Sequence, residues 1–153
     1  MSQYAWSALN KQQVGAYAEY FVKMEFTMNG FQVYGTEVDD RGIDFVIRHQ
    51  NGPFIEVQVK SLRSKGYVFM RKDKFHPRED LYLALALLFD GHLPELYLIP
   101  SMAWNGTNKV FVSRDYVGKQ SPPEWGLSFT KETLQVPERY RFEAVVHSLQ
   151  THG

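Results

Sequence analysis

The chain has 153 residues, 44% of them apolar and 22% charged, which suits one compact soluble domain with a real core and leaves little room for two. Its formal net charge is zero, so composition alone provides no global attraction to nucleic acid or anionic membrane. The absence of cysteine excludes disulfides, thiolate zinc sites and cysteine nucleophiles, and it fits a reducing compartment.

Residues 1–11 carry no basic or apolar leader pattern, and the longest apolar run, residues 81–89, is too short to span a bilayer. A cytoplasmic protein without membrane association is the expectation. The first element is an amphipathic helix over residues 11–28, in which Val14, Tyr17 or Ala18, Phe21, Met24 or Glu25, and Met28 recur at three- and four-residue spacing. Asn29-Gly30 ends it. Residues 31–37 read as a strand, Asp39-Asp40-Arg41-Gly42 as a turn, and residues 43–49 as a second strand. Asn51-Gly52 is a hairpin signal. The strand it introduces, residues 54–61, alternates cleanly: Ile55, Val57 and Val59 share one face, and Glu56, Gln58 and Lys60 share the other.

Further along the patterns are looser. Residues 67–70 fit a short strand and residues 71–75 a helical turn. Residues 81–89 and 96–99 fit a strand pair around Asp90-Gly91, although the first run is equally compatible with a buried helix. Residues 110–117 fit a strand or irregular edge, Ser121-Pro122-Pro123 a rigid loop, and residues 138–150 a closing helix. No repeat, low-complexity tract or linker divides the chain, so residues 1–153 are expected to form one domain.

The polar face of residues 54–61 is the strongest chemical signal. Gln58 and Lys60 stand roughly 6–7 Å apart on it, and three polar side chains in a row require water or polar partners. Asp44, flanked by Ile43 and Phe45, is the lone acid of its strand, and a bent hairpin brings it beside Gln58 and Lys60. A carboxylate, an amide oxygen and a backbone carbonyl make an all-oxygen site of the kind Mg²⁺ accepts. Lys60 then stabilises charge on a phosphoryl oxygen, or orients or deprotonates a water. Charge is also segregated: Glu19, Glu25, Glu37, Asp39, Asp40, Asp44 and Glu56 precede Lys60, whereas Arg63, Lys65, Arg71, Lys72, Lys74 and Arg78 follow it. The histidines lack zinc spacing, and neither a glycine-rich phosphate loop nor a nucleophile-elbow motif occurs.

Gly42-Ile43-Asp44, followed by Glu56-Val57-Gln58-Val59-Lys60-Ser61, resembles the D…(E/Q)xK core of the PD-(D/E)xK nuclease superfamily. Gln58-Val59-Lys60 is similar to the QxK variant of Mrr-type restriction endonucleases. The helix carrying Gly15 and Glu19 resembles the first helix of archaeal Holliday-junction resolvases, whose glutamate faces the metal site. The resemblance spans about the first sixty residues in order; the proline usual before the motif's aspartate is absent, and Gln58 has one negative charge fewer than glutamate.

The resemblance implies a restriction-endonuclease-like α/β core with a mixed central sheet flanked by helices. It implies a Mg²⁺-dependent endonuclease acting on DNA, with Mn²⁺ as a substitute ion and self-association into a homodimer. Asp44, Gln58 and Lys60 would be catalytic, Glu19, Asp44 and Gln58 would hold metal, and Glu56 would be auxiliary. Arg63, Lys65, Arg71, Lys72 and Lys74 would track the nucleic-acid backbone. The alternative is a catalytically inactive DNA-binding or protein-interaction module on the same scaffold.

Overall fold

A computed structural model describes residues 3–37, 42–63, 66–129 and 137–151. Helix α1, Lys11–Met28, begins at a reciprocal cap: Asn10 Oδ1 accepts the Gln13 N–H at 2.8 Å, and Gln13 Oε1 accepts the Asn10 N–H at 2.9 Å. It ends at Asn29, followed by Gly30 in the left-handed region with φ +86°. Its buried face is Val14, Ala18, Phe21, Val22 and Phe26. Met24 and Met28, which the sequence spacing places on that face, are instead exposed, because the buried stripe turns to Val22 and Phe26.

The central sheet has the order β1-β2-β3-β5-β6. Strands β1 (Gln32–Gly35), β2 (Phe45–Arg48) and β3 (Ile55–Leu62) form an antiparallel meander. Strand β5, Leu81–Leu87, pairs with β3 in parallel, and β6, Glu95–Pro100, returns antiparallel to β5. The 81–89 run, open to two readings in the sequence, is therefore a strand. It is apolar throughout because both sheet faces are covered at this point.

One face carries α1 and the closing helix α2 (Phe142–Gln150), packed on Phe45, Ile47, Ile55, Val57, Ala84 and Leu98. The opposite face is covered by a second, three-stranded antiparallel sheet, which the sequence patterns did not announce. Its strands are β4 (Gly66–Arg71), β7 (Phe111–Arg114) and β8 (Glu124–Phe129), in the order β4-β8-β7. Val68, Met70, Phe111, Leu127 and Phe129 of that sheet pack on Leu83, Leu85, Leu87 and Ile99. Trp104, 1% exposed, is wedged edge-on between Phe75 and Phe111, and its Nε1 donates to the Gly126 carbonyl at 2.7 Å.

Single helical turns at Trp6–Ala8, Ser101–Asn105 and Glu138–Tyr140 complete the chain, the last occupying the start of the predicted 138–150 helix. Most of the predicted turn at residues 39–42 lies outside the described residues. Among the described residues, no helix is long and apolar enough to cross a membrane.

Candidate active site

The site lies where β2 stops short of β3. Their pairing covers only Phe45↔Val57, Val46↔Glu56 and Ile47↔Ile55, whereas β5 accompanies β3 from Glu56 to Leu62. Residues 58–62 thus have one paired edge, and β2 does not cover the other. Backbone groups alternate between the two edges. The Glu56 N–H bonds the Asp80 carbonyl and the Leu62 carbonyl accepts from Leu88 on the β5 side, so the N–H and C=O groups of Val57, Val59 and Ser61 face the other way.

Asp44 occupies the first two rungs of that edge. Its N–H donates to the Val57 carbonyl at 2.9 Å, and its carboxylate Oδ2 accepts the Val59 N–H at 2.7 Å. A side chain thereby replaces backbone in the ladder and fixes a carboxylate at the sheet edge. The paired β2–β3 register stops at Phe45↔Val57, and Asp44, the residue before it, brackets Gln58 by bonding the backbone of Val57 and Val59. Because Phe45 and Ile47 point to the helices with Val57, the side chains of Glu56, Gln58 and Lys60 point to the other face.

Gln58 is partly buried, and its Oε1 is shielded from solvent with no hydrogen-bond partner among the described residues. A buried acceptor left this way costs about 1–3 kcal/mol. Gly42 closes over the same side chain: with φ +75°, a Cβ there would lie 3.8 Å from Gln58 Nε2 and 3.4 Å from Lys74 Cβ. Lys60 is partly buried and lines a groove of about 370 Å³ together with Lys11, Gly15, Val59, Ser61, Leu62, Tyr67, Val68 and Phe69. Among the described residues, no carboxylate forms an ion pair with Lys60.

The donor set fits a hard cation held mainly through oxygen. Asp44 provides one carboxylate, Gln58 the orphaned Oε1, and Val59 a carbonyl on the same edge. Charge is sparse, since among the described residues no group of three His, Cys, Asp or Glu side chains could hold a metal. Such a site would leave much of the ion's coordination to water and substrate oxygens.

The other predicted residues have partners of their own. Glu19 pairs with Lys23 at 3.1 Å one turn along α1, and Lys23 lies 5.4 Å from the Phe45 ring centroid. Lys11, Gly15 and Glu19 follow each other at four-residue spacing, so Glu19 continues the stripe that forms the helix wall of the groove. Glu56 is engaged by Arg78, which also pairs with Asp80 at 2.8 Å. Arg63 donates to the carbonyls of Trp6 at 3.2 Å and Leu9 at 2.6 Å, bracing the segment before α1. Arg71 forms a forked pair with Asp73, and Lys72 binds Ser113 and Asp115 while lying 4.1 Å from the Trp125 ring centroid. Lys74 sits against Gly42, and Lys65 lies outside the described residues.

Lys11, Tyr67 and Phe69 did not stand out in the sequence as site residues, and Gly15 entered there only beside Glu19 in the helix resemblance. Only Gly15 left a local signal there: a glycine inside a helix costs roughly 0.5–1 kcal/mol relative to alanine and calls for a reason. Tyr67 and Phe69 reach the groove through a strand pairing that spans more than fifty residues, between β4 and β8.

No family model and no curated protein matches the chain. Solved structures do. A bacterial homing endonuclease superimposes with a TM-score of 0.55 at 18% identity, covering 93% of both chains. Hjc, a Holliday junction resolvase of the archaeal hyperthermophile Archaeoglobus fulgidus, gives a TM-score of 0.52 at 11% identity, covering 87% of this chain and 95% of its own. With its five-stranded mixed sheet and flanking helices, this chain shares the restriction-endonuclease-like fold of these two structures.

Proposed function

We propose that the chain is a metal-dependent endonuclease hydrolysing DNA phosphodiester bonds at the open edge of β3. The observations that carry this reading are the Asp44 carboxylate held on the Val59 N–H and the buried Oε1 of Gln58, which has no hydrogen-bond partner among the described residues. Mg²⁺, or Mn²⁺ in its place, would be held by Asp44, Gln58 Oε1 and the Val59 carbonyl, and when bound it supplies Lewis-acid polarisation of a phosphoryl oxygen. Lys60, one residue beyond on the same strand, supplies fixed positive charge where negative charge gathers during transfer. Glu19, through its stripe on α1, is an outer ligand that becomes available when it leaves Lys23.

The likeness to a homing endonuclease and a Holliday junction resolvase supports DNA as the partner. One such site per chain cuts one strand, so a double-strand cut requires two copies and a homodimer is the simplest active species. The test is a cleavage assay on linear duplex, single-stranded, junction and supercoiled DNA across a Mg²⁺ titration. Metal-dependent cleavage of any of these supports the reading, and its absence on all of them removes it.

One observation favours a second reading, a DNA-binding module without catalysis. The described residues gather no three-ligand acidic cluster, and Gln58 stands where the family motif allows an acid. DNA binding that neither needs nor responds to divalent metal, with no cleavage, would identify that module.

A further inference from the structure

The groove beside Lys60 has two walls of different character. Lys11 and Gly15 of α1 make one, and β4, with Tyr67 and Phe69, makes the other. Tyr67 and Phe69 are successive outward residues of β4, since Val68 and Met70 between and after them point into the core. Phe69 is 49% exposed although the neighbouring sheet offers cover.

Tyr67 is held unusually firmly for an outward-facing residue. Its hydroxyl donates to Glu124 Oε2 at 2.5 Å, and Glu124 itself is only 6% exposed. The ring lies flat on β8 over Gly126, where an added Cβ would meet the hydroxyl oxygen at 1.9 Å. The Arg114 guanidinium lies 4.4 Å from the Tyr67 ring centroid. Phe69 is nearly parallel to this locked ring, with centroids 6.4 Å apart and planes at 21°. The result is a rigid aromatic surface at the rim of a groove whose opposite wall is a helix surface with a lysine and no side chain at Gly15.

We propose that this groove receives an unpaired nucleotide next to the scissile phosphate, with its base stacked on Phe69 and its backbone passing Gly15 and Lys11. This rests on the endonuclease reading of the same groove and narrows its substrate class. A base inside a duplex has both faces covered by its neighbours, so an aromatic wall reaches one only at a single strand, gap, flap, junction or extruded position. Gly15 belongs to the same design: it lines the groove, and among the described residues nothing beyond its own helix backbone and chain neighbours lies within 4 Å of the Cβ it lacks. The volume of about 370 Å³ falls within the roughly 300–1,000 Å³ range of cavities that bind small ligands.

The experiment measures binding to a short single strand carrying one fluorescent purine analogue, alongside the same sequence as a fully paired duplex and as a gapped duplex. It is run in EDTA and again in Ca²⁺, so that binding is read without cleavage. Wild type should bind the single-stranded and gapped probes more tightly than the duplex and quench the analogue through stacking. Phe69→Ala should weaken binding to the unpaired probes by roughly 5- to 150-fold and abolish the quench, leaving duplex binding unchanged. Phe69→Trp should restore both, and Phe69→Leu should keep the fold without the quench. Equal losses on all three probes, or an undiminished quench in Phe69→Ala, would overturn the proposal. Quenching by a wild type that cuts none of the DNA panel would leave the subsite standing and remove the endonuclease reading. Cleavage without any quench would do the reverse.

Discussion

The Asp44 carboxylate accepts the backbone N–H of Val59 at 2.7 Å, so one side chain both finishes the β2–β3 ladder and places a negative charge at the edge of β3. These two duties separate by substitution. Asp44→Asn keeps an oxygen that can accept the Val59 N–H but carries no charge for a cation. It should retain the melting temperature and lose metal-dependent cleavage. Asp44→Ala also strips the acceptor from the Val59 N–H in a partly buried setting, which costs about 1–3 kcal/mol. Thermal denaturation and cleavage, measured together, check both; equal destabilisation by the two substitutions would sink the ladder argument.

Gly15→Ala should move stability and function in opposite directions. Gly15 is exposed within α1, and among the described residues an alanine methyl there meets nothing beyond its own stretch of helix. Alanine is about 0.8–1.0 kcal/mol better than glycine inside a helix, which corresponds to roughly 2–4 °C in melting temperature for a chain of this size. The same methyl enters the groove shared with Lys60, so DNA affinity should fall. A variant that is both more stable and fully competent to bind would show that the helix wall does not touch substrate.

Sequence periodicity predicted α1 and the strands of the β1–β3 meander because each rests on local signals: the apolar spacing before Asn29-Gly30, and the alternation around Val57 after Asn51-Gly52. The closing helix, expected from residue 138, begins at Phe142. The contact of Asp44 with β3, through the Val57 carbonyl and the Val59 N–H, lies within reach of the short hairpin at Asn51-Gly52. The second sheet was not readable. Strand β4 pairs with β8 rather than with its sequence neighbour, and β8 carries Gly126 where a strand pattern would place a bulky residue. That glycine is explained only by the Tyr67 ring lying on it. Charge counting could not show which cations are paired: Arg71 and Lys72 meet the carboxylates of Asp73 and Asp115, while Arg63 is held by neutral backbone carbonyls and keeps its charge.

Stability should fall at alkaline pH earlier than the tyrosine content of an open structure would require. Burial raises the pKa of Tyr67, Tyr82 and Tyr97, and for Tyr67 the hydrogen bond to Glu124 adds to the rise. Above the ordinary tyrosine pKa near 10 the unfolded chain loses protons that the folded chain keeps, so unfolding becomes more favourable as pH rises through that point. Below it this contribution is fully present. Urea midpoints measured from neutral pH to pH 11 should decline above about pH 10. Tyr67→Phe should make that decline shallower, and an identical profile would show that Tyr67 titrates freely.

Replacing Arg71, Lys72 and Lys74 together with alanine should change the salt dependence of DNA binding by about one unit of slope or less. Three independent phosphate contacts would account for nearly three units. Arg71 and Lys72 already face Asp73 and Asp115, each at 2.7 Å, which leaves little net positive charge for a phosphate. A plot of log affinity against log salt for wild type and the triple variant decides the matter. A loss approaching three units would restore the whole stretch as a backbone-tracking surface.

Lys60 separates an enzyme from a binding module most sharply. It projects from the same face of β3 as Gln58 and lines the groove, and no described carboxylate forms an ion pair with it. A fixed ammonium there does little for ground-state binding that Lys11 and other cations cannot do. It matters when charge accumulates on a transferring phosphoryl group, and losing one preorganised donor of this kind typically costs about 10²–10³-fold in rate. Lys60→Ala should therefore keep the fold and most DNA affinity while cleavage falls by that factor. Lys60→Arg should also be impaired, because a planar guanidinium neither occupies the ammonium's position nor gives up a proton. Gln58→Glu completes the set: a second carboxylate should lower the Mg²⁺ concentration needed for half-maximal cleavage if Oε1 is a ligand. The measurements are single-turnover cleavage and equilibrium binding of one substrate by wild type and the three variants across a Mg²⁺ titration. Equal cleavage by wild type and Lys60→Ala would remove Lys60 from the chemistry. Unaltered Mg²⁺ dependence in Gln58→Glu would remove Gln58 from the metal.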